Sequence, residues 1–260
     1  MFMSTSKLVK HSTVTTWVVG LTSLSGLLGP SPSYAAVING GFETGDFTGW
    51  STIGDVSIQT ADEFGSGPTE GDFETFLSTA SIADDNFNFS GTDAVPRSEV
   101  EEFLGLAPES LNSLGGGDFF PVTEGAAIKQ TFTANAGDTL SVDFNFLTDE
   151  EPQSENFDSF ALAVLNTSTN ELADTFSNFT SSSTFFDRET GFQTFSTVLP
   201  TAGTYTLGLG VVDRGEAFSS GLLVDNVRTT PVPEPSSTLG VLALGALLGV
   251  RLLKRKQQQN

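Results

Sequence analysis

From residue 127 onward the chain alternates. AIKQTFTA runs through the turn NAGD (135–138) into TLSVDFNFLT. There Leu140, Val142, Phe144 and Phe146 fall on one face, and Ser141, Asp143 and Asn145 on the other. The spacing predicts a hairpin whose second strand is half buried. FALAVL (160–165) is apolar throughout and predicts a central strand. FQTFSTVLP, the turn TAG and TYTLGLGVV follow, with Tyr205, Leu207, Leu209 and Val211 on one face, and GLLVDNVRT closes the series. Seven or more short strands separated by Gly, Asn, Asp and Pro predict an all-β fold, an antiparallel β-sandwich.

One stretch has a different period. RSEVEEFLGLAPESLNSL (97–114) reads as helical, with Val100, Phe103, Leu104 and Leu106 on one face. Ser98 and Glu101 have the spacing of a capping box. Pro108 suits the first turn of a second short helix that holds Leu111 and Leu114. The pattern predicts an insertion packed on one end of the sandwich. The Gly-, Asp- and Phe-rich stretch 61–95 predicts no element, and no internal repeat stands out.

The two ends are apolar for another reason. Lys7, Lys10 and His11 precede an apolar run (14–29), prolines 30 and 32 break it, and Ser33 and Ala35 are small. This is the layout of a signal peptide, with cleavage by signal peptidase expected after Ala35. At the other end, Leu239 to Leu253 would form a helix about 22 Å long, against a bilayer core of about 30 Å. Such a helix only just spans, with Arg251 snorkelling and Lys254, Arg255 and Lys256 held in the cytoplasm. The expected organisation is therefore a signal peptide (1–35), an ectodomain (36–230) and a tail (231–260) with a short transmembrane helix.

Pro233-Glu234-Pro235, the short apolar helix and the terminal basic cluster closely resemble the PEP-CTERM sorting signal. The resemblance implies a Gram-negative bacterium that makes extracellular polysaccharide. It implies recognition by exosortase, removal of the tail near the motif, and delivery to the cell surface or matrix. A plain C-terminal membrane anchor is the alternative.

Charge narrows the partners. The chain carries a formal −21, and residues 36–230 hold 31 acids against 5 bases. That surface repels phosphate backbones and anionic headgroups, so nucleic acid is excluded as a partner and direct lipid binding is disfavoured. It suits cations and solubility.

The ectodomain also resembles a jelly roll of the galactose-binding-like, carbohydrate-binding-module type. The matching residues are NGGFE (39–43) with Trp50, AGTYTLGLG (202–210) and LLVDNVR (222–228). The run from FLGLAPESL to FDSFALAVL is similar to a segment recurrent in surface proteins with this sorting tail. In such modules an acid of the first strand and one of the last flank a structural calcium. The resemblance places Glu43 and Asp225 there. A second acidic run holds Asp149, Glu150, Glu151, Glu155 and Asp158 without EF-hand spacing, and reads more simply as a solvated loop.

Catalysis has few resources. Beyond residue 35 there is no His and no Cys, and Lys129 is the only lysine before the tail. Ser-His and Cys-His pairs are excluded, as are His or thiolate zinc sites. Sugar stacking wants exposed Trp or Tyr, yet only Trp50 and Tyr205 remain after residue 35, both in apolar motifs. Phe119-Phe120 and Phe185-Phe186 read as core. The two resemblances imply a non-catalytic exported protein associated with extracellular polysaccharide, with calcium-dependent glycan binding, although the aromatic inventory argues against a stacking platform. The alternatives are a structural or adhesive protein with protein partners and a two-carboxylate hydrolase.

Overall fold

The computed structural model describes residues 36–83, 88–114, 120–150, 159–215 and 218–232. The expected signal peptide, Pro233 to the end of the tail, Phe119, Glu151, Glu155 and Asp158 lie outside the described residues.

In chain order the elements are β1 (Ser51–Ile53), β2 (Asp55–Gln59), α1 (Ala61–Phe64), β3 (Glu74–Ser78), β4 (Val95–Pro96) and α2 (Arg97–Leu104). A 3-10 turn (Ser110–Ser113) leads to β5 (Glu124–Ala134), β6 (Thr139–Thr148), β7 (Phe160–Leu165) and β8 (Ser168–Asp174). The short β9 (Thr180–Ser181) and β10 (Arg188–Glu189) precede β11 (Gln193–Val198), β12 (Gly203–Asp213) and β13 (Ser220–Thr230). Every pairing is antiparallel. A six-stranded sheet runs β1-β5-β12-β7-β8, with β4 on β5. A seven-stranded sheet runs β2-β3-β13-β6-β10-β9, with β11 also on β6. The two sheets form the β-sandwich that the alternation predicts.

Leu140, Val142, Phe144 and Phe146 of β6 and Tyr205, Leu207, Leu209 and Val211 of β12 all enter the core between the sheets. β7 lies between β12 and β8, as a central strand should. Trp50 and Tyr205 are core residues. The Tyr205 hydroxyl donates to the Thr201 carbonyl (2.7 Å), closing the turn before β12.

Three expectations are corrected. β5 and β6 do not pair. The 135–138 turn carries the chain from one sheet to the other, so their apolar faces oppose across the core. A hairpin would have put both faces on one side of one sheet and left them to find another partner. β6 is also more than half buried, because its outer face is covered too. Second, the Ser98/Glu101 capping box does not form. Pro96 occupies the N-cap without a side-chain bond. Glu101 instead points inward and accepts the N–H groups of Glu109 and Leu111, both at 3.0 Å. Third, the insertion covers a face and not an end. Val100, Leu104 and Leu111 pack with Ala127, Leu162, Val164 and Val212 on the outer side of the six-stranded sheet.

Candidate functional site

The NGGFE motif forms a turn and not a strand. Gly40 lies so close to β13 that a Cβ there would sit 1.8 Å from the Val227 carbonyl oxygen, so only glycine fits. Val227 N–H donates to the Gly40 carbonyl (2.8 Å) beside the register shift between Asp225 and Arg228. Phe42 is fully buried against Trp50, whose indole N–H donates to the Asn39 carbonyl (3.1 Å).

This turn brings Glu43 and Asp225 together. A Cβ on Gly41 would lie 3.5 Å from Asp225 Oδ1 and 3.7 Å from Glu43 Cγ. One segment, 69–73, clamps both carboxylates. Asp72 N–H reaches Glu43 Oε1 (3.0 Å) and Oε2 (3.1 Å), and Phe73 N–H reaches Oε1 (3.0 Å). Thr69 N–H (2.7 Å), Glu70 N–H (2.8 Å) and the Thr69 hydroxyl (2.8 Å) converge on Asp225 Oδ2. Gly71, at φ +74°, permits the approach: a Cβ there would fall 2.1 Å from Glu43 Cδ. Burial raises the Asp225 carboxyl above its usual range, with these hydrogen bonds opposing the rise.

Asp225 belongs to a transverse row on the outer face of the seven-stranded sheet. The register sets Gln59 beside Glu74, Asp225 beside Asp143 and Asp143 beside Thr194. Val224 faces Thr75, so one step along the same register Asp225 faces Glu74. Asp143 is well supplied, by the Thr194 hydroxyl (2.6 Å) and the Asn226 amide (2.8 Å). Glu74 is not. It is 0 % exposed, and neither carboxylate oxygen has a hydrogen-bond partner. Desolvation, then the charges of Asp225 and Glu189, pushes its pKa up to about 8.

Calcium takes six to eight oxygens and no nitrogen or sulfur. Glu43 Oε1 accepts two N–H groups and Oε2 one, and Asp225 Oδ1 accepts one, so both acids keep free lone pairs. Among the described residues no three His, Cys, Asp or Glu side chains surround one point. Beside Asp225, the Glu74 carboxylate oxygens stand without a hydrogen-bond partner.

Next to the acidic row the same face is aromatic. Phe64, Phe76, Leu147, Phe186 and Leu223 form a buried cluster. Phe89 and Phe185 lie over it, 37 % and 56 % exposed, with ring centroids 5.6 Å apart and both against Phe64. Their loops are fixed. Asp55 accepts Ser90 N–H (2.9 Å), and the Ser183 hydroxyl donates to the Gly65 carbonyl (2.9 Å). Asp149 accepts Asp187 N–H (2.6 Å), and burial is the main cause of its raised pKa. Glu150 is buried with Ser159, which also bonds Asp213 (3.0 Å). Asp149 and Glu150 thus serve different loops.

The sequence reading missed Glu74, Phe89 and Phe185. One signal was available. In ETFLS, Glu74 shares the face of Phe76, so an acid falls among aromatic residues. Of the pair 185–186, Phe186 is buried and Phe185 exposed. No local pattern distinguishes them.

Residues 231–256 match the PEP-CTERM protein-sorting motif, as the tail predicts. The motif implies an exported protein with a C-terminal membrane-anchoring signal. Among the described residues no helix is long and apolar enough to cross a membrane. No curated protein matches the chain. Among solved structures, the chain is similar to TmCBM61 in complex with β-1,4-galactotriose, with 13 % identity, a TM-score of 0.38, and 75 % of this chain and 96 % of that one covered. It is similar to CBM28, a carbohydrate-binding module specific for non-crystalline cellulose, with 12 % identity, a TM-score of 0.37 and coverage of 76 % and 96 %. The tailspike protein 4 enzymatically active domain of bacteriophage CBA120 shares 15 % identity, with a TM-score of 0.34 and coverage of 78 % and 22 %.

Proposed function

We propose that this is a non-catalytic surface protein of a Gram-negative cell, processed at its tail by exosortase and held in extracellular polysaccharide by the outer face of its seven-stranded sheet. The observation that carries the binding claim is the half-exposed pair Phe89 and Phe185, set on a floor of buried Phe64 and Phe76. Rings anchored in this way stack on sugar faces at little cost in conformational entropy. The acidic surface disfavours anionic polymers and favours an uncharged glycan. Calcium belongs to the same reading, as an ion that relieves the acids near Asp225 and stiffens the face. The test is retention of the purified protein on the producing organism's own extracellular polysaccharide, in calcium and in EDTA. Phe185→Ala should weaken retention at least fivefold without lowering the melting temperature. Equal retention of both proteins would refute the stacking face.

The adhesive reading, with protein partners, rests on the same exposed rings. It predicts self-association or cell clumping that Phe185→Ala relieves, with no retention on glycan.

A further inference from the structure

The sorting motif begins while the chain is still docked on the sandwich. Its first matched residue is Pro231, and Val232 N–H donates to Asp138 Oδ1 (3.4 Å). The Val232 side chain lies so close that a Cβ on Gly137 would sit 3.1 Å from its Cγ2. The 135–138 turn is itself tied to the end of β11. Gly137 N–H donates to the Leu199 carbonyl (2.7 Å), and Leu199 N–H to the Asp138 carbonyl (2.8 Å). The tail therefore leaves from one pole of the sandwich. The pairs Thr230–Thr139 and Gly203–Ala134 mark that pole, and Ser220–Thr148 and Asp213–Glu124 mark the other. Strands such as β12 and β13, at about 3.3 Å per residue, put the two poles about 30 Å apart.

Charge divides between the poles. The tail-side pole consists of residues 134–139, 197–204 and 229–232. Its one charged residue is Asp138, which is 6 % exposed and engaged by the N–H groups of Asn135 and Val232. What it exposes is neutral, including Asn135, Val198, Pro200, Ala202, Thr230 and Val232. The far pole carries Asp55, Asp93, Glu124, Asp149, Glu150 and Asp213. The 38–49 stretch, with Glu43 and Asp46, joins β13 at Val227 and β5 at Gln130, inward of the strand ends. In an ectodomain with 31 acids against 5 bases, the neutrality of one whole pole is a departure from the rest of the surface.

Residues 233–238 separate Val232 from the apolar run that opens at Leu239. Fully extended, they reach about 20 Å, less than the distance between the poles. With the tail held in a bilayer, the pole that carries Val232 is the part of the domain nearest the lipid. Anionic headgroups repel acids that come within a Debye length, about 8 Å at physiological salt, and set no such penalty on a neutral pole. We propose that this pole is a docking surface for the lipid headgroup layer, on which the domain stands upright while its tail is in the membrane. Threonine, proline and small apolar side chains meet headgroups without stripping water from a charge. The upright posture keeps the outer face of the seven-stranded sheet, with Phe89 and Phe185, clear of the lipid. The inference rests on the membrane-anchoring reading of the tail and not on glycan binding.

The test reads proximity to lipid at each pole. The chain has no cysteine, so a fluorophore on Ala202→Cys or Thr92→Cys reports a single site. Ala202 is exposed on the tail-side pole, and Thr92 is exposed in the far-pole loop that Ala94 ties to Ala80. The full chain is reconstituted in vesicles of phosphatidylethanolamine and phosphatidylglycerol that contain a nitroxide-headgroup lipid, without glycan. Quenching at Ala202 should exceed that at Thr92 at least threefold. Val198→Glu combined with Thr230→Glu, both at exposed positions, should at least halve the Ala202 quenching. Equal quenching at the two sites, or stronger quenching at Thr92, overturns the inference. So does an Ala202 signal indifferent to the added acids. A chain that does not float with the vesicles overturns it together with the membrane-anchoring reading of the tail. A chain that floats with the wrong quenching overturns the inference alone.

Discussion

Glu74 is expensive to keep, and its cost depends on pH. Its pKa is pushed up to about 8 in the fold, against an ordinary value of 4.5. Below pH 4.5 both folded and unfolded chains hold the proton, and the group costs nothing through linkage. Between 4.5 and 8 the folded chain binds a proton that the unfolded chain releases, so stability falls as pH rises. Above 8 the penalty is complete and flat. In EDTA, Glu74→Gln should therefore raise the melting temperature at pH 8 by several degrees more than at pH 4.5, and thermal unfolding at the two pH values checks this. Little of this could be read from the sequence. Glu74 is one acid among 32, and its isolation depends on what the 69–73 segment gives to Asp225 and Glu43 and withholds from Glu74. The Glu43/Asp225 meeting was legible because NGGFE and LLVDNVR carry it, although the amides that clamp the two acids were not.

Among the elements, α2 shows how pattern and context divide the work. Its apolar face was legible, and Val100 and Leu104 are buried as its spacing requires. Its start was misread, because a Ser-x-x-Glu spacing cannot show that the Glu is needed elsewhere. Glu101 satisfies two amides of the 109–111 turn, with Arg97 3.7 Å away. Glu101→Ala should cost about 2–3 kcal/mol, since two amides lose a charged acceptor and that of Leu111 is buried. Leu104→Ala should cost about 2–5 kcal/mol by leaving a cavity. Urea denaturation measures both. Neither change should alter glycan retention, because α2 covers the six-stranded sheet while the aromatic pair lies on the other. The 135–138 turn teaches the same point. NAGD marks a reversal whether the next strand pairs with the last or crosses to the opposite sheet. The choice falls to β6, whose apolar face must meet another sheet.

For the whole molecule, the two faces of the sandwich have different fates. One is partly covered by α2 and the 3-10 turn. The other is part roofed by the 60–73 and 179–192 stretches and leaves two Phe rings half exposed beside a row of acids. The alternation that revealed the sandwich could not reveal this asymmetry, because Phe reads as core wherever it falls. The tail adds the address: an exported chain with a sorting motif at 231–256. Changing Pro233-Glu234-Pro235 to alanines should leave the tail unprocessed and the protein in the membrane fraction, which immunoblotting of fractionated cells would show. The most direct test of the central claim is retention on the organism's own polysaccharide, wild type beside Phe185→Ala, in calcium and in EDTA. Saturable retention in calcium, weakened at least fivefold by Phe185→Ala and reduced by EDTA, is the predicted result. Absence of retention by the wild type in either buffer would contradict it.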